Sequence, residues 1–222
     1  DVCSSDLAKK DPDKVAMLHI SKDGKERSFT FYDMARYSSK VANYLQFLGI
    51  KKGDRVMLVL KRHYQFWFAI LALHKIGAVA IPATNLLLKS DFEYRFKAGN
   101  VDAILCTADG PVSREVDKAC RSYKNLKVKI MVGASRKGWR SFNKEVKYFS
   151  SHFRRPHGEN AIHGDDPSIM FFTSGTTSYP KITTHNFKYP LGHYVTAKYW
   201  HQVDPDGIHF AISDTGWGKA LD

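Results

Sequence analysis

Residues 168–181 read SIMFFTSGTTSYPK. Four apolar residues, 169–172, run straight into Thr173, Ser174, Gly175, Thr176 and Thr177, and Pro180 and Lys181 follow closely. A short apolar run that breaks into small polar residues reads as a buried strand ending in a loop. Strands with no polar alternation belong to parallel sheets covered on both faces, and ligands of such sheets sit beyond the carboxyl ends of the strands. The loop is therefore placed where an α/β protein binds.

Its chemistry suits an anion. Gly175 removes bulk so that backbone amides can approach a ligand. Thr173, Ser174, Thr176 and Thr177 supply hydroxyl donors, and Lys181 supplies a point charge suited to phosphate. Pro180 fixes the backbone and brings no amide. This is not the ordinary nucleotide P-loop, which needs a second glycine before the lysine and a hydroxyl residue after it. Here Pro180 precedes Lys181 and Ile182 follows it. The next residues, ITTH, read as strand, so no helix dipole is expected to help. A Ser/Thr-rich surface turn is the plain alternative; the strand before the loop and the Pro-Lys after it favour phosphate.

Outward from the loop, strand and helix patterns alternate. VAMLHI (15–20), DRVMLVL (54–60), AVAIPA (78–83), DAILCT (102–107) and VKIMV (128–132) read as strands. Between them, Thr30 and Asp33 cap a helix that Gly49 ends, residues 64–76 form an apolar helix ending at Gly77, and Ser90 with Glu93 suggests a capping box. Residues 112–123 and 141–149 also have helical spacing, 157–167 form a polar connector, and a further strand is expected just before residue 214. The predicted fold is α/β, with mostly parallel sheets flanked by helices.

Composition narrows the function. With 222 residues, 43% of them hydrophobic, the chain can bury a large core, and no low-complexity tract signals disorder. The net charge of +12 favours anionic partners. The basic residues are scattered, and the densest spots, 136–140 and 153–157, lack the interleaved aromatics of a single-strand groove. Nucleic-acid binding is not expected. The longest apolar run, 66–73, is too short to span a bilayer. Cys3, Cys106 and Cys120 match no metal or disulfide spacing, and no charged-then-apolar stretch opens the sequence. A cytoplasmic protein with free thiols is the expectation. Residues 1–7, DVCSSDL, resemble the translation of a common sequencing-adapter end. They are expected to be a non-native leader, with 8–222 a piece of a longer reading frame.

Residues 173–181 resemble the signature loop of the adenylate-forming acyl-CoA synthetases, Thr-Ser-Gly-Thr-Thr-Gly, any residue, Pro-Lys. One fixed position departs: Ser178 stands at the last glycine. LALHKIGAVAIPATNLL (71–87) is similar to the family's upstream core motif. HNFKYPLGHYVTAKYW (185–200) and SDTGWGKA (213–220) resemble its medium-chain and acetate-like branch.

The resemblance implies an incomplete N-terminal domain of an adenylate-forming enzyme. The family activates a carboxylate with MgATP, giving acyl-adenylate and pyrophosphate, and coenzyme A then displaces AMP. By similarity, Thr173, Ser174, Gly175, Thr176, Thr177 and Lys181 hold the β- and γ-phosphates, and Trp217 lies beside the acyl pocket. A core tryptophan is the alternative for Trp217, a packed or surface histidine rather than a catalytic one is the expectation for His185, and Asp214 reads as a strand-end cap. The magnesium-binding glutamate, the ribose-binding aspartate and the catalytic lysine of the family are expected beyond Asp222. No catalytic or metal-ligating residue is therefore assigned within the chain, and the isolated chain is expected not to complete acyl-CoA synthesis. The implied substrate is a short- or medium-chain fatty acid. A catalytically dead nucleotide-binding remnant, an aryl-acid ligase and another adenylating ligase are the alternatives.

Overall fold

The computed structural model describes residues 2–173, 179–210 and 212–218, with residues 2–5 as backbone alone. Asp222, beyond which the sequence places the catalytic lysine, lies outside the described residues. A helix α1 (Val2–Lys10) leads into a separate antiparallel hairpin of β1 (Val15–Ile20) and β2 (Glu26–Thr30). The sequence reading missed β2. ERSFT has two charges in five residues, and only Phe29 turns firmly inward, where its ring meets Tyr37, Tyr64 and Phe68.

Helix α2 (Phe31–Phe47) starts where the sequence placed it. The Asp33 amide donates to Thr30 Oγ1 over 3.1 Å, and the Thr30 amide donates to Asp33 Oδ2 over 3.3 Å. Two end donors are thus satisfied reciprocally. Beyond α2 the chain alternates β3 (Arg55–Val59), α3 (Gln65–Ile76), β4 (Val79–Pro82), α4 (Lys89–Gly99), β5 (Ala103–Thr107), α5 (Val112–Ala119), β6 (Val128–Val132), β7 (Arg140–Ser141) and α6 (Phe142–Glu145). There follow β8 (Pro167–Thr173), β9 (Lys181–Asn186), a short α7 (Tyr189–Gly192) and a π-helical turn (Thr196–Trp200).

Seven strands form one sheet in the order β7-β6-β5-β3-β4-β8-β9. All neighbours are parallel except β8 and β9. Both faces are covered, which is why the central strands lack polar alternation. On one face, Val56, Leu58, Ala103, Leu105 and Ile130 pack against the apolar sides of α2 and α3. On the other, Met57, Val59, Ile104 and Met131 meet Phe92 and Phe96 of α4 and Val112 and Val116 of α5. Phe92 and Phe96 are fully buried, each worth about 1.5–3 kcal/mol by transfer from water.

Gly77 ends α3 with φ of +83°. A Cβ there would lie 2.9 Å from Ile162 Cγ1 in the connector that leads to β8. Lys52 fixes the same connector, donating to the Ala161 carbonyl over 2.6 Å and pairing with Asp166 at 2.8 Å.

Three local expectations are corrected. Helix α4 begins at Lys89, because the Asp91 carboxylate takes the Leu88 amide at 2.9 Å. Ser90 and Glu93 do not form the cap; Glu93 instead accepts the Ser122 hydroxyl at 2.5 Å. Helix α5 stops at Ala119, and the Tyr123 hydroxyl turns back to the Val101 carbonyl at 2.9 Å. The described residues between 201 and 214 contain no strand, so Asp214 caps a turn. Its Oδ1 accepts the Gly216 amide at 2.9 Å.

Candidate functional site

The loop of residues 174–180 is held by strand pairing on both arms. In the antiparallel register of β8 and β9, Thr173 faces Lys181. The Thr173 hydroxyl lies 3.5 Å from the Lys181 carbonyl. The loop therefore closes a hairpin rather than a strand-to-helix turn. The element that follows is a strand, so no helix N-terminus faces the loop from that side. Ser174, Gly175, Thr176, Thr177 and Ser178 lie outside the described residues. Thr173 and Lys181 are both exposed at the mouth of the hairpin.

Helix α4 braces the returning arm. The Tyr94 hydroxyl donates to the Pro180 carbonyl over 2.7 Å, and the Tyr94 ring stacks on Tyr179 at 4.9 Å between centroids. One residue on, the Arg95 guanidinium sits 5.1 Å over the Phe172 ring on the outgoing arm. One turn of helix thus grips both arms. The sequence reading treated Tyr94 and Arg95 only as helix residues. Their role follows from the β4–β8 adjacency, which no local pattern encodes.

Residues 212–218 cross the carboxyl ends of three strands. The buried Thr215 hydroxyl donates to the Lys61 carbonyl, just past β3. Gly216 lies on the backbone after β4, where a Cβ would be 2.5 Å from the Thr84 nitrogen. Gly218 faces the Phe171 ring of β8, where a Cβ would lie 3.7 Å from Cε1. The Trp217 amide donates to the Asp214 carbonyl at 2.9 Å. With both neighbours tucked in, the Trp217 side chain is left 64% exposed. This is not a core tryptophan. Of the two readings of His185, packed or surface, the packed one fits: its ring lies 4.0 Å from Tyr189 and 5.9 Å from Phe171.

A third cluster lies past β3 and β5. His63 Nε2 is 2.7 Å from Thr107 Oγ1 and 3.7 Å from Asp109 Oδ2. Burial lowers the His63 pKa, with Asp109 opposing. Thr107 Oγ1 already accepts the Asp109 amide at 3.0 Å, which leaves its proton for a neutral imidazole. These bonds fix two strand ends. Among the described residues, no three His, Cys, Asp or Glu side chains converge as a metal site. Nor, among them, is any helix long and apolar enough to cross a membrane.

The described fold is an α/β sheet in which β8 runs into the hydroxyl-rich sequence 173–177, Lys181 opens the returning strand, and Trp217 is exposed on a segment crossing the carboxyl ends of the strands. Residues 5–218 match the family described as AMP-binding enzyme, and the chain belongs to that family. It is 33% identical over 217 residues to the human mitochondrial acyl-coenzyme A synthetase ACSM3, covering 96% of this chain and 36% of that protein. Identity to the human mitochondrial ACSM5 is 32% over 212 residues, covering 94% and 36%. The chain thus spans little more than a third of the length of these relatives. Among solved structures, a Brucella canis acyl-CoA synthetase superposes with a TM-score of 0.81 at 24% identity, over 94% of this chain and 37% of that one. The anthranilate CoA ligase AuaEII, in complex with anthranoyl-AMP, gives 0.74 at 22% identity, over 89% and 36%. At these identities the likeness is one of fold.

Proposed function

We propose that this chain is the phosphate-gripping part, residues 8–222, of the N-terminal domain of an ATP-dependent acid–thiol ligase. The whole protein would join a short- or medium-chain fatty acid to coenzyme A. The observation that carries this reading is the Thr173–Lys181 hairpin at the carboxyl end of β8, set on the same sheet edge as Trp217. The names of the ACSM relatives support the reaction class.

In the first step, a carboxylate oxygen of the fatty acid attacks the α-phosphorus of ATP, and the bond to the β-phosphate bridging oxygen breaks. Acyl-adenylate forms and pyrophosphate leaves. In the second, the coenzyme A thiol loses its proton and attacks the acyl carbon, and AMP departs. Thr173, Ser174, Gly175, Thr176, Thr177 and Lys181 act in the first step alone. They hold the β- and γ-phosphates and stabilise charge that builds on the leaving pyrophosphate. They are not nucleophiles. The exposed Trp217 indole offers an apolar wall for the acyl chain. ATP enters as its magnesium salt, which neutralises phosphate charge. The metal's protein ligand and the catalytic lysine are assigned to the part of the protein beyond Asp222.

Exchange of labelled pyrophosphate into ATP, run on the whole protein with straight-chain acids of increasing length and with benzoate, tests this. Acid-dependent exchange peaking at a short or medium chain is the expected result. A maximum with benzoate would make it an aryl-acid ligase. Nucleotide binding with no exchange on any acid would make it a catalytically dead module.

A further inference from the structure

The seven-stranded sheet ends differently at its two edges. At one edge, β7 is only two residues long, Arg140–Ser141. The Ser141 amide donates to Glu145 Oε1 over 2.9 Å, and Arg140 pairs with Glu145 Oε2 at 2.6 Å. A short, charged strand whose amide is already bonded offers little template to another strand. At the other edge, β9 runs for six residues, Lys181–Asn186. It contains no proline, and Ile182, Thr183 and Thr184 are β-branched, a type that favours strands. Among the described residues, β9 pairs with β8 on one side and with no strand on the other.

Burial points the same way. Successive side chains of a strand face opposite sides of the sheet. Ile169, Met170 and Phe171 of β8 are buried in succession, so both faces are covered there. Thr183 and Thr184 of β9 are exposed in succession, so neither face is covered there. Just after β9 in the chain, Leu191, Tyr194, Tyr199 and Trp200 are exposed as well. An open strand edge followed by exposed large apolar side chains marks a surface that other polypeptide covers.

We propose that a strand from the part of the whole protein outside residues 1–222 pairs with the free edge of β9 and extends the sheet. The chain covers 36% of the length of ACSM3, so a protein of that length has ample further polypeptide to supply the strand. A strand on the same chain pairs at an effective concentration of up to about millimolar, above that of a second copy in dilute solution. Because β9 opens with Lys181, the added strand holds the backbone of that lysine from the side away from β8. The pairing rests on the reading of this chain as part of a longer protein; it does not rest on the catalysis.

The test places p-benzoylphenylalanine at position 183 of the whole protein, cross-links it with light and identifies the joined peptides by mass spectrometry. A strand paired with β9 brings its Cβ atoms to about 4.5–5.5 Å from those of β9, within reach of the probe. A cross-link to a peptide outside residues 1–222, with a yield unchanged on about tenfold dilution, is the expected result. Cross-links confined to residues 1–222, or joining two copies, would overturn the proposal. Amide hydrogen exchange on the unmodified protein gives a second reading that no bulky side chain disturbs. Alternate amides of β9 face away from β8. All of residues 182–186 should exchange at least about a hundredfold more slowly than an unfolded peptide, as in β5, which is paired on both sides. Fast exchange at alternate positions would also overturn the proposal. Should acid-dependent pyrophosphate exchange accompany that result, the ligase reading would stand without this pairing.

Discussion

The Tyr94 hydroxyl donates to the Pro180 carbonyl over 2.7 Å, tying the first helix after β4 to the returning arm of the hairpin loop. The bond spans 86 residues of sequence. It ties Pro180, on the returning arm, to a residue far away in sequence.

Tyr94→Phe removes that bond and keeps the stack on Tyr179. A net hydrogen bond contributes about 1 kcal/mol, so Tm should fall little. A loosened arm should raise the KM for ATP a few-fold with kcat nearly unchanged. Tyr94→Ala loses the stack as well and should raise KM further. Equal KM values for all three proteins would show that the brace does not act on the loop.

Gly216 makes a different kind of demand. A Cβ there would meet backbone at 2.5 Å, which cannot move aside as a side chain can. Gly216→Ala should therefore lift residues 214–218 from Ala83 and Thr84, costing about 1–3 kcal/mol and shifting Trp217 fluorescence. Gly192→Ala, with open space around its position, is the control and should be near neutral. Similar Tm values for the two variants would contradict the seating described here.

His74 gives the fold an acid sensitivity. Burial lowers its pKa from 6.5 to about 4, and its Nε2 has no partner among the described residues. Above pH 6.5 the imidazole is neutral in both folded and unfolded chains. As pH falls from 6.5 to about 4, the unfolded chain takes up the proton first, so stability is lost across that window. The loss is on the order of 3 kcal/mol. His63, whose pKa is also lowered by burial, acts in the same direction. Denaturant unfolding at pH 7 and pH 5 should show a smaller difference for His74→Leu than for the parent. An unchanged difference would assign the acid sensitivity elsewhere.

Ser178 stands where the loop signature has glycine. A side chain on a backbone that favours positive φ costs roughly 1 kcal/mol or more. Ser178→Gly should tighten ATP binding about fivefold, read by calorimetry. Unchanged or weaker affinity would count against strain at this position.

The sheet was legible because its strands are buried on both faces. RVMLV and AILCT announce themselves by continuous apolar character, and Thr30 and Gly77 mark helix ends through local backbone chemistry. The order of the strands was not legible, since pairing of β4 with β8 joins residues nearly ninety positions apart. The same limit hid Tyr94. The contacts that seat Thr215 and Gly216 were also unseen, and the strand expected just before residue 214 is absent among the described residues. The chemistry of the loop was read from its residue types alone, whereas its closure as a hairpin depended on where β9 runs.

The central claim is that Lys181 and its neighbours clamp the leaving pyrophosphate. The most direct measurement is the pyrophosphate-exchange rate of the whole protein with and without Lys181→Ala, at saturating ATP and acid. Lys181 is exposed at the start of an outer strand, so the fold and Tm should be kept. The account predicts a fall of about a hundredfold or more in exchange at unchanged Tm. Exchange within about twofold of the parent would contradict it, because a clamp that carries transition-state charge cannot be removed at so small a cost.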